Sequence, residues 1–130
     1  FSNDMTEFYG YKTAMELLTA SKSKRPSAIL TASRIIAEGV QRAVKDCNLK
    51  TPDDISLMTY DDELGFLPNN ELSSEITCMR SSIYQAGVRI GQMIGELLIS
   101  PEKNPICELW LPKLVEGKST GPRLIKTDAK

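Results

Sequence analysis

The stretch "DISLMTYDDELGFLP", Asp54 to Pro68, decides how this chain is read. Ile55 to Tyr60 form a buried-type β run, which ends abruptly in Asp61, Asp62 and Glu63 before Gly65 and Pro68 break the chain. Neighbouring carboxylates repel one another. Their crowding at a strand end therefore calls for something that gains from it: a cation, a hydroxyl-rich ligand, a partner chain or water.

Working outward, strands and helices alternate. Upstream, "SAILTAS" (27–33) is a short apolar strand. "RIIAEGVQRAVKDCNL" (34–49) follows as a helix with Ile36, Val40, Ala43, Val44 and Cys47 on one side, stopped by Asn48 and Pro52. Further upstream, "NDMTEFYGYKTAMELLTAS" (3–21) reads as a helix capped by Asp4, with Glu7 completing a capping box and Phe8, Tyr11, Met15 and Leu18 as its apolar face. Downstream come the strand "EITCMRS" (75–81), the long helix "SIYQAGVRIGQMIGELLIS" (82–100) and the broken strand "CELWLPKLVEGKST" (107–120). This alternation predicts an α/β fold, a three-layer α/β/α lobe with a mostly parallel sheet. The residues after Thr120 read as a loose tail, placed at 123–130.

Composition narrows the function classes. The 130 residues are 41% apolar and 25% charged with a net charge of −1, the profile of one soluble globular domain with no basic field for nucleic acid. Three cysteines, Cys47, Cys78 and Cys107, form no CxxC pair and read as reduced structural thiols in a cytoplasmic protein. There is no histidine, which removes Ser-His and Cys-His nucleophilic catalysis and disfavours a zinc site. No apolar run approaches the ~18 residues of a membrane span.

Several features could carry chemistry. In open α/β sheets ligands sit beyond the carboxyl ends of the strands, where Asp61 falls. An ionised carboxylate accepts hydrogen bonds only, which suits ligand hydroxyls; Mg²⁺ or Ca²⁺ held by Asp61, Asp62 and Glu63, or a solvated turn, are the rival readings. Gly87, Gly91 and Gly95 recur every four residues, a smooth helix face for close packing. The basic run Lys22–Arg25 reads as a solvated connector. "GKST" (117–120) fails as a phosphate loop because position 112 is Pro where an earlier glycine is required, and no helix follows.

As an ordered set, "RPSAILTASRIIAEGVQRAVKDCNLKTPDDISLMTYDD", "ITCMRSSIYQAGVRIGQMIGELL" and "LPKLVEGKSTGP" resemble the effector-binding part of the LacI/GalR (lactose-repressor/galactose-repressor) family of bacterial transcription regulators, from Thr6 to Pro122. The resemblance implies a periplasmic-binding-protein-like lobe, residues 1–122, that senses a carbohydrate or its derivative without catalysis or cofactor. It implies a homodimer, and operator DNA bound by a helix-turn-helix domain that these 130 residues lack. Asp61 matches the family acid that bonds effector hydroxyls, Ser33 a ligand-reaching Asn, Met5 an aromatic stacking position and Ile83 a ring-facing position at the hinge. Arg34 stands where an Asp is usual and favours an anionic ligand. Gly117-Lys118 displace the usual Arg before the closing Ser119-Thr120. The family's dimer surface maps onto Ile36, Val40 and Val44 of the second helix and onto Leu64 and Phe66 of the acidic turn. The glycine-rich helix belongs to the family's first lobe, so its apolar face is expected to need a cover. A transport-type periplasmic sugar-binding protein and a metal-dependent enzyme using Asp61, Asp62 and Glu63 are the alternatives.

Overall fold

A computed structural model describes residues 5–21, 23–61, 76–100 and 105–122. Asp4, Asp62, Glu63, Leu64, Phe66 and the expected tail at 123–130 lie outside the described residues.

Helix α1 (Glu7–Leu18) is capped by Thr6, whose extended backbone lets its hydroxyl accept the Tyr9 N–H at 3.1 Å. Glu7 is thus the first helical residue rather than the third, and Thr6 takes the capping position expected of Asp4. The buried face is Gly10, Ala14 and Leu18, with Tyr11 and Met15 packed beside it. Phe8 is 66% exposed, so the apolar stripe is rotated away from the expected one.

Strand β1 (Ala28–Thr31) leads into helix α2 (Arg34–Asp46), which Ser33 caps by accepting the Ile36 N–H. The helix ends in a Schellman turn: Leu49 N–H bonds the Val44 carbonyl at 3.0 Å and Asn48 N–H that of Lys45 at 2.9 Å. Asn48 takes the left-handed conformation (φ 53°) that this turn demands, which Asn tolerates better than most residues. Leu49 then folds back onto the core.

Strands β2 (Ser56–Asp61), β3 (Thr77–Arg80) and β4 (Lys113–Val115) complete a sheet of order β1-β2-β3-β4. The first two pairings are parallel and the last antiparallel, the mostly parallel sheet the alternation predicts. Along β2, Leu57, Thr59 and Asp61 are buried, while Ser56, Met58 and Tyr60 are half-buried on the other face.

Helices α1 and α2 cover one sheet face. Their crossing is backbone to backbone: a Cβ on Gly39 would stand 2.0 Å from the Glu7 carbonyl oxygen, and one on Gly10 2.3 Å from that of Ile36. The core beneath joins Ala14, Leu18, Ala37, Val40, Ala43, Val44, Ile55, Leu57 and Ile76. Burying a leucine such as Leu18 or Leu57 contributes about 1.5–3 kcal/mol. Val40 and Val44, each 4% exposed, belong to this core, and Ile36 is half-buried.

Ser119 closes the amino end of the sheet. Its buried hydroxyl donates to the Leu57 carbonyl at 2.5 Å and accepts the Thr77 N–H at 2.8 Å, bridging β2 and β3 where their ladder has not begun. Thr77 and Thr120 hydroxyls meet at 2.8 Å beside it.

Helix α3 (Ile83–Ile99) stands apart. It has no buried residue and packs on no other described element, so it supplies no second layer to the sheet among the described residues. It is tied to the segment before β4 by Arg89, which pairs with Glu108 and, at 2.8 Å, with Glu96.

Candidate ligand site

The carboxyl ends of β1, β2 and β3 converge on the helix-covered face and carry polar side chains where the rest of that face is apolar. Thr31 and Thr59 are register partners, 6% and 2% exposed, and the Thr31 hydroxyl donates to Thr59 Oγ1 at 2.7 Å. The Thr59 hydroxyl lies 3.1 Å from the Tyr60 carbonyl. Such bonds are what make buried hydroxyls tolerable.

One step further along β2, Asp61 partners Arg80 in the parallel register, which puts both side chains on the same face at the sheet edge. Arg80 Nε and its terminal Nη2 approach Asp61 Oδ2 at 3.2 and 3.1 Å. The Asp61 side chain is 8% exposed and the Arg80 side chain 31%, so the carboxylate is sunk and the guanidinium lies nearer solvent. Arg80 Nη2 also reaches Cys78 Sγ at 3.8 Å. Burial pushes the Cys78 thiol above its ordinary value, with Asp61 adding to the rise and Arg80 and Arg34 opposing it. The thiol therefore stays protonated at neutral pH and is no nucleophile.

Ser33, Arg34, Asp61 and Ile83 all lie just at or beyond strand ends. Ser33 is 8% exposed, and its hydroxyl is already the acceptor that starts α2. Accepting that N–H leaves its own proton available to a ligand. The Arg34 side chain, 11% exposed, lies 3.7 Å from Glu38 one helical turn on, and its charge is felt at Cys78. Ile83 opens α3 three residues after Arg80 and is 51% exposed. Met5, 57% exposed, precedes α1. Ser33, Arg34 and Asp61 thus share one neighbourhood, whereas no hydrogen bond or ion pair among the described residues joins Met5 or Ile83 to it.

Sequence reading missed Thr31, Thr59 and Arg80. Thr59 had a signal, since it sits two residues before Asp61 and so on the same face of a strand. Arg80 had none, because its place beside Asp61 comes from a pairing between distant segments. Among the described residues no group of three His, Cys, Asp or Glu could hold a metal ion; Asp62 and Glu63 are outside that statement. A concavity of about 600 Å³ lies at the other end of α2, against Lys45, Asn48, Leu49 and Lys50, away from this cluster.

Known proteins resemble this chain in sequence and in fold. A family profile described as "Periplasmic binding protein-like domain" matches residues 2–120. The HTH-type transcriptional regulator AglR of Rhizobium meliloti (strain 1021) is 34% identical over 118 residues, 91% of this chain and 33% of its own length. The ribose operon repressor of Haemophilus influenzae is 33% identical over 85 residues, 65% of this chain and 24% of its own. The chain thus spans about a third or less of these curated relatives. Among solved structures, a LacI family transcriptional regulator from Enterococcus faecalis V583 with bound ribose superposes with a TM-score of 0.76 at 22% identity, over 92% of this chain and 42% of that one. A Lactobacillus casei regulator of the same family with bound sucrose gives 0.70 at 23% identity, over 88% and 41%. At such identities these likenesses speak for the fold.

Proposed function

The chain belongs to the LacI/GalR family of transcription regulators, within its periplasmic-binding-protein-like domain, and from that premise we propose that it is the effector-sensing module of a cytoplasmic DNA-binding repressor. Its effector is a small carbohydrate or carbohydrate derivative, bound between this lobe and another. Binding shifts the balance between DNA-competent and DNA-released conformations, by as much as the effector's affinity differs between the two. Operator DNA is contacted by a domain outside these 130 residues, in a homodimer. No catalytic step is required of any residue described above.

The observation that carries this reading is Asp61, a buried carboxylate at the carboxyl edge of a parallel sheet, paired with the Arg80 guanidinium. It accepts ligand hydroxyls; Ser33 and Arg34 flank it, and Met5 and Ile83 pack on the apolar face of the ring. Ribose and sucrose in two fold neighbours support a carbohydrate. The curated relatives are regulators, which favours repression over transport.

A thermal-shift screen of the full-length protein against sugars, sugar acids and sugar phosphates, repeated with Asp61→Asn, tests it. A ligand at a hundredfold excess over its dissociation constant adds ~2.7 kcal/mol to the native state, a readily visible rise in midpoint. The expected result is a sugar-class hit lost in Asp61→Asn. A response to Mg²⁺ or Ca²⁺ with none to any sugar would replace the sensor by a metal site on the acidic turn.

A further inference from the structure

Resting on the carbohydrate reading above, we propose that Arg80 is a specificity-determining residue, and that Asp61 and Arg80 act as one donor–acceptor unit reading two adjacent hydroxyls of the sugar. A hydroxyl both donates and accepts, whereas a carboxylate only accepts and a guanidinium only donates. Asp61 alone would accept a hydrogen bond from a sugar hydroxyl and leave that oxygen's lone pairs without a protein donor, which is costly wherever the bound ligand is shielded from water. Arg80 alone would leave the proton unmet. Side by side they satisfy a vicinal diol: one hydroxyl donates to Asp61, its neighbour accepts from Arg80, and the two hydroxyls bond each other.

Three features make the pair suited to this. The parallel register fixes both side chains on one face at the last ladder position, where ligands of open α/β sheets lie. Two guanidinium nitrogens converge on Asp61 Oδ2, which sets the plane of the donor group before any ligand arrives. The hydroxyls beneath are engaged with each other and with the Tyr60 carbonyl, so Thr31 and Thr59 make a floor and leave recognition to the charged pair. Arg80 is the more exposed of the two, so its guanidinium is open to a ligand. The fork matters as well as the charge, so lysine is no substitute.

The test uses the full-length protein with ribose, glucose and sucrose as probes, followed by calorimetric titration of the tightest binder and its monodeoxy analogues. Arg80→Lys keeps a cation beside the buried carboxylate, and ligand-free melting checks that it and Asp61→Asn fold. The expected result is a loss of at least tenfold in affinity for the parent sugar in either variant. For the analogues lacking one of two adjacent hydroxyls, the same variants change affinity less than threefold. A merely structural role would weaken parent and analogues alike, and that outcome, or wild-type affinity in Arg80→Lys, overturns the pairing while the carbohydrate reading stands. Should the wild-type protein bind none of these sugars and no sugar acid or sugar phosphate, the carbohydrate reading itself is lost and this one with it.

Discussion

At the scale of single residues, Arg25 Nε and Gln41 Oε1 are buried without a partner among the described residues, whereas the buried hydroxyls of the sheet have assigned ones. Ser119 is the sharpest case. One hydroxyl, 3% exposed, completes the ladder between β2 and β3 by serving the Leu57 carbonyl and the Thr77 N–H together. Ser119→Ala strands two buried backbone groups with no room to rotate toward water, and the expected cost is about 2 kcal/mol in urea unfolding. A loss under 0.5 kcal/mol would mean that water or another hydroxyl takes over the bridge. The same scale shows what local sequence could and could not reveal. Asp61 was legible because it ends a strand whose pattern is strong. The cap of α1 was misread because Asp4 and Thr6 both stand near the start and the box with Glu7 looked complete. Arg80 was invisible because nothing local announces which residue of a distant strand will stand beside Asp61.

At the scale of elements, the α1–α2 crossing governs how the helical layer sits on the sheet, and through Ser33 where Arg34 begins. Gly10 and Gly39 are there for proximity, since a methyl group at either would meet backbone that cannot swing aside. Gly39→Ala and Gly10→Ala should each destabilise the fold by about 2–3 kcal/mol, as overpacking of a tight contact does, despite alanine's better helix propensity. An unchanged unfolding midpoint in both would show that the helices cross less closely. The amphipathic pattern of α2 was plain in the sequence, yet it cannot say whether an apolar face meets its own sheet or a second chain. The attachment of α3 is electrostatic and therefore pH-dependent. The Arg89 guanidinium, and then the Trp110 indole N–H at 3.2 Å, hold the Glu108 carboxyl below its usual value of 4.5. A carboxylate with a depressed pKa stabilises the fold above its ordinary value, and that contribution fades as pH falls through the depressed one. The emission of Trp110, the single tryptophan, should stay constant from neutral pH to 4.5 and change only below it. Glu108→Gln should abolish that transition; a midpoint at or above 4.5 in the unsubstituted protein contradicts the pairing.

At the scale of the whole molecule, the decisive fact is apolar surface without a cover among the described residues. On α3, Ile90, Ile94 and Leu98 are 56%, 54% and 77% exposed, and among the described residues nothing outside the helix's own neighbouring backbone lies within 4 Å of a Cβ built on Gly87, Gly91 or Gly95. On the far face of the sheet Leu30 is 73% exposed. Three glycines weaken a helix by up to ~1 kcal/mol each relative to alanine, a penalty with no packing offset among the described residues. Packing against another surface would supply one, since only glycine lets backbones approach that closely. Gly91→Ala separates the two situations by sign. In the isolated 130-residue chain it should stabilise by up to ~1 kcal/mol, because the new methyl meets only solvent. In the full-length protein, where we expect this face to be buried, the same methyl should overpack the contact and destabilise by about 1–3 kcal/mol. Parallel urea titrations of both forms measure the difference. Stabilisation in both would mean that the face stays open in the complete protein and that the glycine spacing is not a packing device.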